Sequence, residues 1–189
     1  MKTKILSLFT ITFLLLFACQ LDDKEMLETE NNTILEKKEV KTEMVTVPFK
    51  SNFSVWDKSD FSESRCAPLY PITMVGNGNV THLGNMNVTF IFCYNPEFNS
   101  YENTDVTFIA ANGDELYARI ESGQMGPNDE ANSEYYQEKF NDEMTFVGGT
   151  GRFEGAEGTA WTHAYIHNFP EDFRTDFFST GTLKLKKGK

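Results

Sequence analysis

Three histidines are the side chains of this chain best suited to acid–base or metal chemistry. His163 and His167 lie four residues apart in segment 159–167, whose alternating residue types predict a β-strand. On a strand the two imidazoles share a face but lie about 13 Å apart, so one metal ion cannot bind both. His82, in the run Thr-His-Leu-Gly, is compatible with a buried, hydrogen-bonded histidine and with a catalytic base. We therefore predict no metal site and no cofactor, and we assign no catalytic residue.

The strand that carries two of these histidines presents an aromatic face, in which Trp161, His163 and Tyr165 alternate with smaller side chains. Pointing into a barrel, this face would form an aromatic and imidazole lining for a ligand; pointing outward, it would be a solvated or partner-binding stripe. The alternation is compatible with both orientations. Together with residues from earlier strands, the candidate ligand-lining residues are His82, Phe90, Phe92, Trp161, His163 and Tyr165.

Cys19 ends a targeting segment, residues 1–19. Lys2 and Lys4 precede an apolar run, 5–17, that is shorter than the roughly 20 residues needed to cross a bilayer. The junction Leu-Phe-Ala-Cys resembles the lipobox of bacterial lipoproteins, which implies that Cys19 becomes the acylated first residue of the mature protein. An ordinary secretory signal followed by an incidental cysteine is the alternative.

Residues 20–44 read as an acidic, flexible linker, since they hold eight acids and four lysines and no aromatic residue. The acidic start of this segment, 20–25, is similar to the export signal of surface-exposed lipoproteins of Bacteroidetes-type bacteria. The same residues are equally the beginning of an ordinary linker. We expect an exported protein that is lipid-anchored to a bacterial membrane, the outer membrane and its cell-surface side being the candidate location.

Cys66 and Cys93 are the other two cysteines of the chain. Export permits a disulfide between them, which would stabilise the fold by about 3–4 kcal/mol in the chain-entropy model. A free cysteine packed as a small hydrophobic residue is the alternative.

The charge of the chain restricts its partners. A net charge of −11 and a pI near 4.7 argue against nucleic acid, because binding to phosphates needs clustered Lys and Arg. They also argue against a basic patch that adheres to anionic lipid.

From residue 45 to residue 187 the sequence reads as short alternating runs separated by turns, without a helical period. Segment 87–94 is the clearest strand, and Val88, Phe90 and Phe92 share one of its faces. Asn112-Gly113 marks a tight hairpin. Eight such strands predict an all-β domain, an eight-stranded antiparallel barrel or a sandwich. A barrel of eight strands is just filled by side chains or holds one small ligand.

Five glycines lie within residues 146–158, on the pattern G-G-T-G-x-F-x-G-A-x-G. Because glycine reaches positive φ without steric conflict, this density predicts a chain reversal between two strands. We expect Phe153 to plug one end of the core, and Glu154 and Glu157 to be exposed turn residues. The residues of this corner motif are Gly149, Gly151, Phe153, Gly155 and Gly158.

This corner resembles that of allene oxide cyclases and, more loosely, of dirigent proteins. Segments 81–84 and 110–116 look like those of bacterial exported proteins assigned the same barrel. The resemblance implies an allene oxide cyclase-like barrel over residues 45–187. Allene oxide cyclases place a catalytic carboxylate and an Asn on the first strand, where segment 47–53 of this chain has no carboxylate. No catalytic residue is therefore carried over.

The sequence predicts a membrane-anchored barrel that binds a small apolar ligand, or a partner protein on its rim, without catalysis. The competing hypothesis is an isomerase or cyclase that acts on a lipid-like substrate inside the barrel. A buried ionisable group near the open mouth would favour the enzyme, and a solidly packed interior would favour a structural or rim-binding role. The ligand, the partner and the oligomeric state stay open.

Overall fold

A computed structural model describes residues 43–62 and 65–188. The predicted signal segment, Cys19 and all of the predicted linker up to residue 42 lie outside the described residues. Within the described ranges there is no helix that is long and apolar enough to cross a membrane.

The regular secondary structure of the described chain is almost entirely β-strand. One short 3₁₀ turn, Gly151–Phe153, interrupts it within the described ranges. The strands are β1 (Met44–Asp57), β2 (Tyr70–Val80), β3 (Gly84–Asn95), β4 (Ser100–Ala110), β5 (Glu115–Gln124), β6 (Gly126–Pro127), β7 (Glu138–Gly149), β8 (Glu157–His167) and β9 (Arg174–Lys186).

The eight long strands form one closed antiparallel barrel. Each pairs with its neighbours in the chain, β1 also pairs with β9, and β5 pairs with β7 to close the ring. The two-residue strand β6 adds only to the start of β7. The predicted eight-stranded antiparallel barrel is therefore confirmed. Closure removes the free edges that an open sheet would expose to other chains.

Strand direction alternates around the barrel, so its loops gather at two ends. Turns 81–83 and 111–114 and the glycine-rich corner lie at one end, here called the closed end. Loop residues 58–62 and 65–69, and loops 96–99, 125–137 and 168–173, lie at the other, the open end.

Phenylalanines fill the half of the interior nearest the closed end. Phe49 and Phe146 make an edge-to-face pair with ring centroids 4.7 Å apart, and Phe53 stacks on Phe177 at 5.3 Å. Phe108 contacts both Phe49 and Phe53. These residues point inward because side chains of a strand alternate between its two faces.

The corner seals the closed end. Phe153 has no exposed surface, and its N–H donates to the carbonyl of Thr150 at 2.9 Å. Thr150 is tied to Glu115 of β5 twice, through its own N–H at 2.7 Å and through its hydroxyl at 2.9 Å. Gly151 has φ of +53°, and a β-carbon there would collide with Asp114. Glycine is therefore required at this position on two grounds, backbone conformation and space.

Candidate functional site: the barrel cavity

A cavity of about 310 Å³ occupies the half of the barrel nearest the open end. Its floor meets the packed phenylalanines, and its mouth is bordered by Asp57, Asn99, Asn168 and Phe173 at the ends of strands and in loops. Most of the wall is hydrophobic. Its apolar side chains are Val55, Ile72, Met74, Phe90, Phe92, Ile120, Met125, Phe140, Ile166 and Phe177.

A β-bulge in β4 turns two polar residues toward this cavity. Cys93 pairs with Glu102 and Ile91 pairs with Asp105, so β4 has one extra residue between these two pairs. Asn103 lies at the bulge and has φ of +55°, a conformation that Asn tolerates better than most residues. Tyr101 and Thr104, three positions apart, consequently both line the interior.

The buried polar centre of the cavity is a pair formed by Tyr101 and Asp142. The Tyr101 hydroxyl donates to the Asp142 carboxylate, and both side chains are buried. Gly123 of β5 lies beside them, and any side chain there would collide with the Tyr101 ring and the carboxylate. The glycine therefore provides the space that the pair occupies.

Burial dominates the acid–base behaviour of this pair. It raises the pKa of Asp142 to about 6, because the loss of water around the carboxylate outweighs the hydrogen bond from Tyr101. Burial is also the largest cause that raises the pKa of the Tyr101 phenol, followed by the charge of Asp142. Near neutral pH the pair can therefore accept a proton on Asp142 and return it, as general acid–base chemistry requires.

A second polar network lies near the mouth. The Tyr94 hydroxyl donates to the side-chain oxygen of Asn99 at 2.9 Å, and the Asn99 amide donates to Glu138 at 2.9 Å and to the Met125 carbonyl at 3.2 Å. Burial, followed by the charge of Glu138, raises the pKa of Tyr94. The network holds loop 96–99 against the start of β7.

Thr104 is one of two residues, with Ser51, whose buried hydroxyl has no hydrogen-bond partner among the described residues, and of these two it is the one that lines the cavity. Its side chain is 2% exposed. Thr162, which also lines the cavity, instead shares a 2.8 Å hydrogen bond with Ser179. A buried, unpaired hydroxyl is destabilising by about 1–3 kcal/mol, so the native state retains Thr104 at the expense of stability.

The structure places some of the candidate lining residues in the cavity and others on the outer surface of the barrel. Phe90 and Phe92 line the cavity, whereas Trp161, 48% exposed, and the exposed His163 lie on the outer face of β8. Tyr165 also points outward, where its hydroxyl donates to Glu130. The inward hypothesis for this stripe is therefore wrong: the inner positions of β8 are Ala160, Thr162, Ala164 and Ile166. Ala160 and Ala164 suit this face because phenylalanines from other strands already fill much of the interior.

His82 is not part of the cavity either. It lies in the turn between β2 and β3 at the closed end, exposed, with φ of +68°. This exposure contradicts the interpretation of His82 as a buried histidine. None of the residues that line the cavity belongs to this turn.

His167 lies at the opposite end of β8 from the corner and is buried against the outside of the barrel. Its Nδ1 is 2.6 Å from the carbonyl oxygen of Asp172, and the rings of Tyr135 and Phe169 lie 4.4 Å and 4.9 Å away. It packs beneath a loop, while His163 faces solvent. Across residues 43–62 and 65–188, no cluster of three potential ligands is placed to hold a metal ion.

Cys66 and Cys93 form a disulfide, with their α-carbons 5.3 Å apart. The bridge ties the loop that holds Cys66 to β3. The free-cysteine alternative is thereby excluded in this structure. The bridge therefore restrains one of the loops at the open end of the barrel.

Sequence inspection missed the polar centre of the cavity. The sequence did contain a signal for Asp142, because Phe140, Asp142, Met144 and Phe146 alternate in phase and three of the four are hydrophobic. A carboxylate in phase with a core face is uncommon and marks a functional candidate. Tyr101 and Thr104 lacked such a signal, because their common orientation depends on the bulge.

No family model and no curated protein matches the chain. Among solved structures, the pterocarpan synthase dirigent protein GePTS1 is similar with a TM-score of 0.48 and 15% identity, over 78% of this chain and 88% of that one. The pterocarpan synthase dirigent protein PsPTS1 is similar with a TM-score of 0.41 and 12% identity, over 78% and 97%. Similarities of this size support no argument about function. The barrel itself is established by its strand pairing.

Proposed function

We propose that the barrel binds one small, mainly apolar molecule in its cavity and holds it without converting it. The observation that carries this proposal is the cavity itself: about 310 Å³, walled by hydrophobic side chains and holding a buried polar pair. Apolar walls with a few fixed polar groups are typical of small-molecule sites.

The two halves of the barrel support this division of roles. The closed half is packed with phenylalanine and sealed by Phe153, which gives the domain its stability. The half at the open end lacks that filling, and its mouth is ringed by loops rather than by a packed corner. Because no side chain fills this volume, the domain is less stable than a fully packed barrel would be. A bound ligand would restore packing contacts there.

We further propose that the domain is exported and lipid-anchored through Cys19 to a bacterial membrane. The basic start, the apolar run and the Ala-Cys junction support this proposal. An acyl anchor would hold the barrel at a membrane surface while leaving the cavity accessible to the surrounding medium.

The uncharged dye N-phenyl-1-naphthylamine tests binding, since its fluorescence rises in apolar surroundings. It should bind residues 20–189 saturably with one site per chain. Ile72→Trp fills the cavity and should abolish binding, whereas Val75→Trp, on the outer face of the same strand, should leave it unchanged. Equal dye binding by the wild type and Ile72→Trp would refute a ligand site in this cavity.

An isomerase or cyclase is the second candidate, and the Tyr101–Asp142 pair favours it specifically. A carboxyl with a pKa of about 6 in an apolar cavity can exchange a proton with a bound substrate. Native mass spectrometry of protein purified from its host identifies the bound molecule. The enzyme hypothesis predicts that a newly added sample of the protein converts that molecule to an isomer of altered chromatographic retention. The variant Asp142→Asn should not convert it. Recovery of the unchanged molecule supports binding alone.

A further inference from the structure

We propose that the cavity selects a protonated amine attached to an apolar body over a carboxylate or a neutral molecule of the same skeleton. The inference rests on the proposed ligand-binding function and specifies its ligand class.

The charged side chains that line the cavity are all negative. Asp57 and Glu138 lie at the mouth and Asp142 lies inside, whereas no lysine, arginine or histidine in the described part of the chain lines it. None of the three carboxylates forms a salt bridge with a described residue. Of the three, only Asp142 is buried, and because buried charges are normally paired, this carboxylate favours a cation inside the cavity.

The hydrogen-bonding groups of the cavity point to the same ligand. The Thr104 hydroxyl is buried, lines the cavity and has no partner, so it offers a free acceptor. The Asp142 carboxylate accepts from Tyr101 and retains acceptor capacity on its other oxygen. An ammonium group has three N–H donors and no acceptor. It can therefore donate to Asp142 or to Thr104, whereas a ligand carboxylate would add a fourth negative charge to the site.

The remaining wall suits the body of such a ligand. Phe90, Phe92, Phe140 and Phe177 present aromatic rings to the cavity, and ring faces attract cations at distances up to about 6 Å. The net charge of −11 attracts cations to the protein as a whole and repels anions. An amine with an aryl or alkyl body therefore fits both the charge and the apolarity of the walls.

Three probes of one skeleton separate charge from shape: 4-phenylbutylamine, 4-phenylbutan-1-ol and 4-phenylbutyric acid. Each is titrated against N-phenyl-1-naphthylamine bound to residues 20–189 at pH 7.5, and the amine is also titrated directly by calorimetry. The amine should displace the dye at a concentration at least about tenfold lower than the alcohol, and the acid should be weakest. Equal potency of amine and acid would overturn the inference while leaving the proposed function intact. Failure of both dye and amine to bind would overturn both.

Two isosteric variants identify the groups responsible. Asp142→Asn keeps an acceptor for Tyr101 and should remove most of the preference for the amine while still binding the dye. Thr104→Val removes the unpaired hydroxyl and should weaken the amine severalfold, with dye affinity unchanged and thermal stability equal or higher. Glu143→Gln, adjacent to Asp142 but on the exposed outer face, is the matched control and should retain the full preference. A preference that survives in both Asp142→Asn and Thr104→Val would overturn this assignment.

Discussion

At the scale of single residues, two of the groups that line the cavity weaken the fold. Asp142 is buried with only Tyr101 as a partner, and the hydroxyl of Thr104 has none. A hydrophobic residue of the same size in place of Thr104 would stabilise the fold, whereas at Asp142 it would do so only if Tyr101 were replaced as well, because the buried phenol would otherwise lose its acceptor. Polar groups retained where they destabilise are the expected signature of a binding or catalytic site.

Asp142 should make the stability of the barrel depend on pH. Burial raises its folded-state pKa to about 6 from 3.8, so between pH 4 and 6 the folded state binds more protons than the unfolded state. Stability should therefore fall as pH rises through this window. Relative to Asp142→Asn, the wild type should lose about 2–3 kcal/mol between pH 4 and pH 7.5.

Urea denaturation of both proteins at several pH values measures this difference. Contributions of other carboxylates are common to the two proteins and cancel. Parallel pH profiles for the wild type and the variant would show that Asp142 is not buried as described. The alternation of β7 would then have to be assigned differently.

At the scale of elements, two devices fix the ends of the barrel in different ways. The corner closes one end by burying Phe153 between strands, while the disulfide restrains one loop at the other. Glu154 and Glu157 lie on the exposed side of the corner, where they pair with Lys186 and Lys184. Exposed pairs of this kind add little stability.

The corner should therefore be sensitive at its buried residue and tolerant at its exposed one. Phe153→Ala should lower the free energy of unfolding by about 3–5 kcal/mol, because it leaves a cavity in the closed end. Glu154→Ala should change it by no more than about 0.5 kcal/mol. Chemical denaturation of residues 20–189 compares the two variants. If the two effects were equally small, the corner would not be part of the core.

The disulfide should be present in the mature protein and should contribute to its stability. Intact-mass measurement after thiol alkylation should find Cys66 and Cys93 unmodified without reductant and both modified after reduction under denaturing conditions. Replacing both by Ser should lower the free energy of unfolding by about 3–4 kcal/mol. Two thiols alkylated without reductant would show that the bridge is not formed.

At the scale of the whole molecule, the barrel combines a stable closed half with an unfilled half that faces the loops. The expected lipid anchor and linker would place this domain at a membrane surface without burying any of it in the bilayer. The mouth of the cavity lies at the open end, where the disulfide restrains the loop that holds Cys66.

Anchoring should depend on the thiol of Cys19. Cys19→Ser should abolish incorporation of a labelled fatty acid and move the protein from the membrane fraction to the soluble fraction, because the acyl chains can no longer be attached. Cys66→Ser, which leaves Cys19 in place, is the control and should still be labelled. Label that persists in Cys19→Ser would exclude this residue as the lipidation site.

The sequence by itself determined the number and the order of the strands. Alternation with a period of two, Asn112-Gly113 and the glycine-rich corner are local signals, because they depend on backbone geometry over a few residues. The eight strands and the turn at the corner could be placed from these signals. The start of β4 at Ser100 is not evident from the sequence, because the bulge at Asn103 breaks the alternation.

The tertiary structure decided which face of each strand points inward and which polar groups meet. For β8 both faces carried plausible lining residues. The inner face is the one with Ala160, Thr162, Ala164 and Ile166, because the phenylalanines of β1, β4, β7 and β9 leave no room for the larger Trp161 and Tyr165. Tyr101 and Asp142, 41 residues apart, meet only because β5 pairs with β7 to close the barrel and Gly123 leaves space between them. Such contacts depend on distant parts of the chain, which no local pattern encodes.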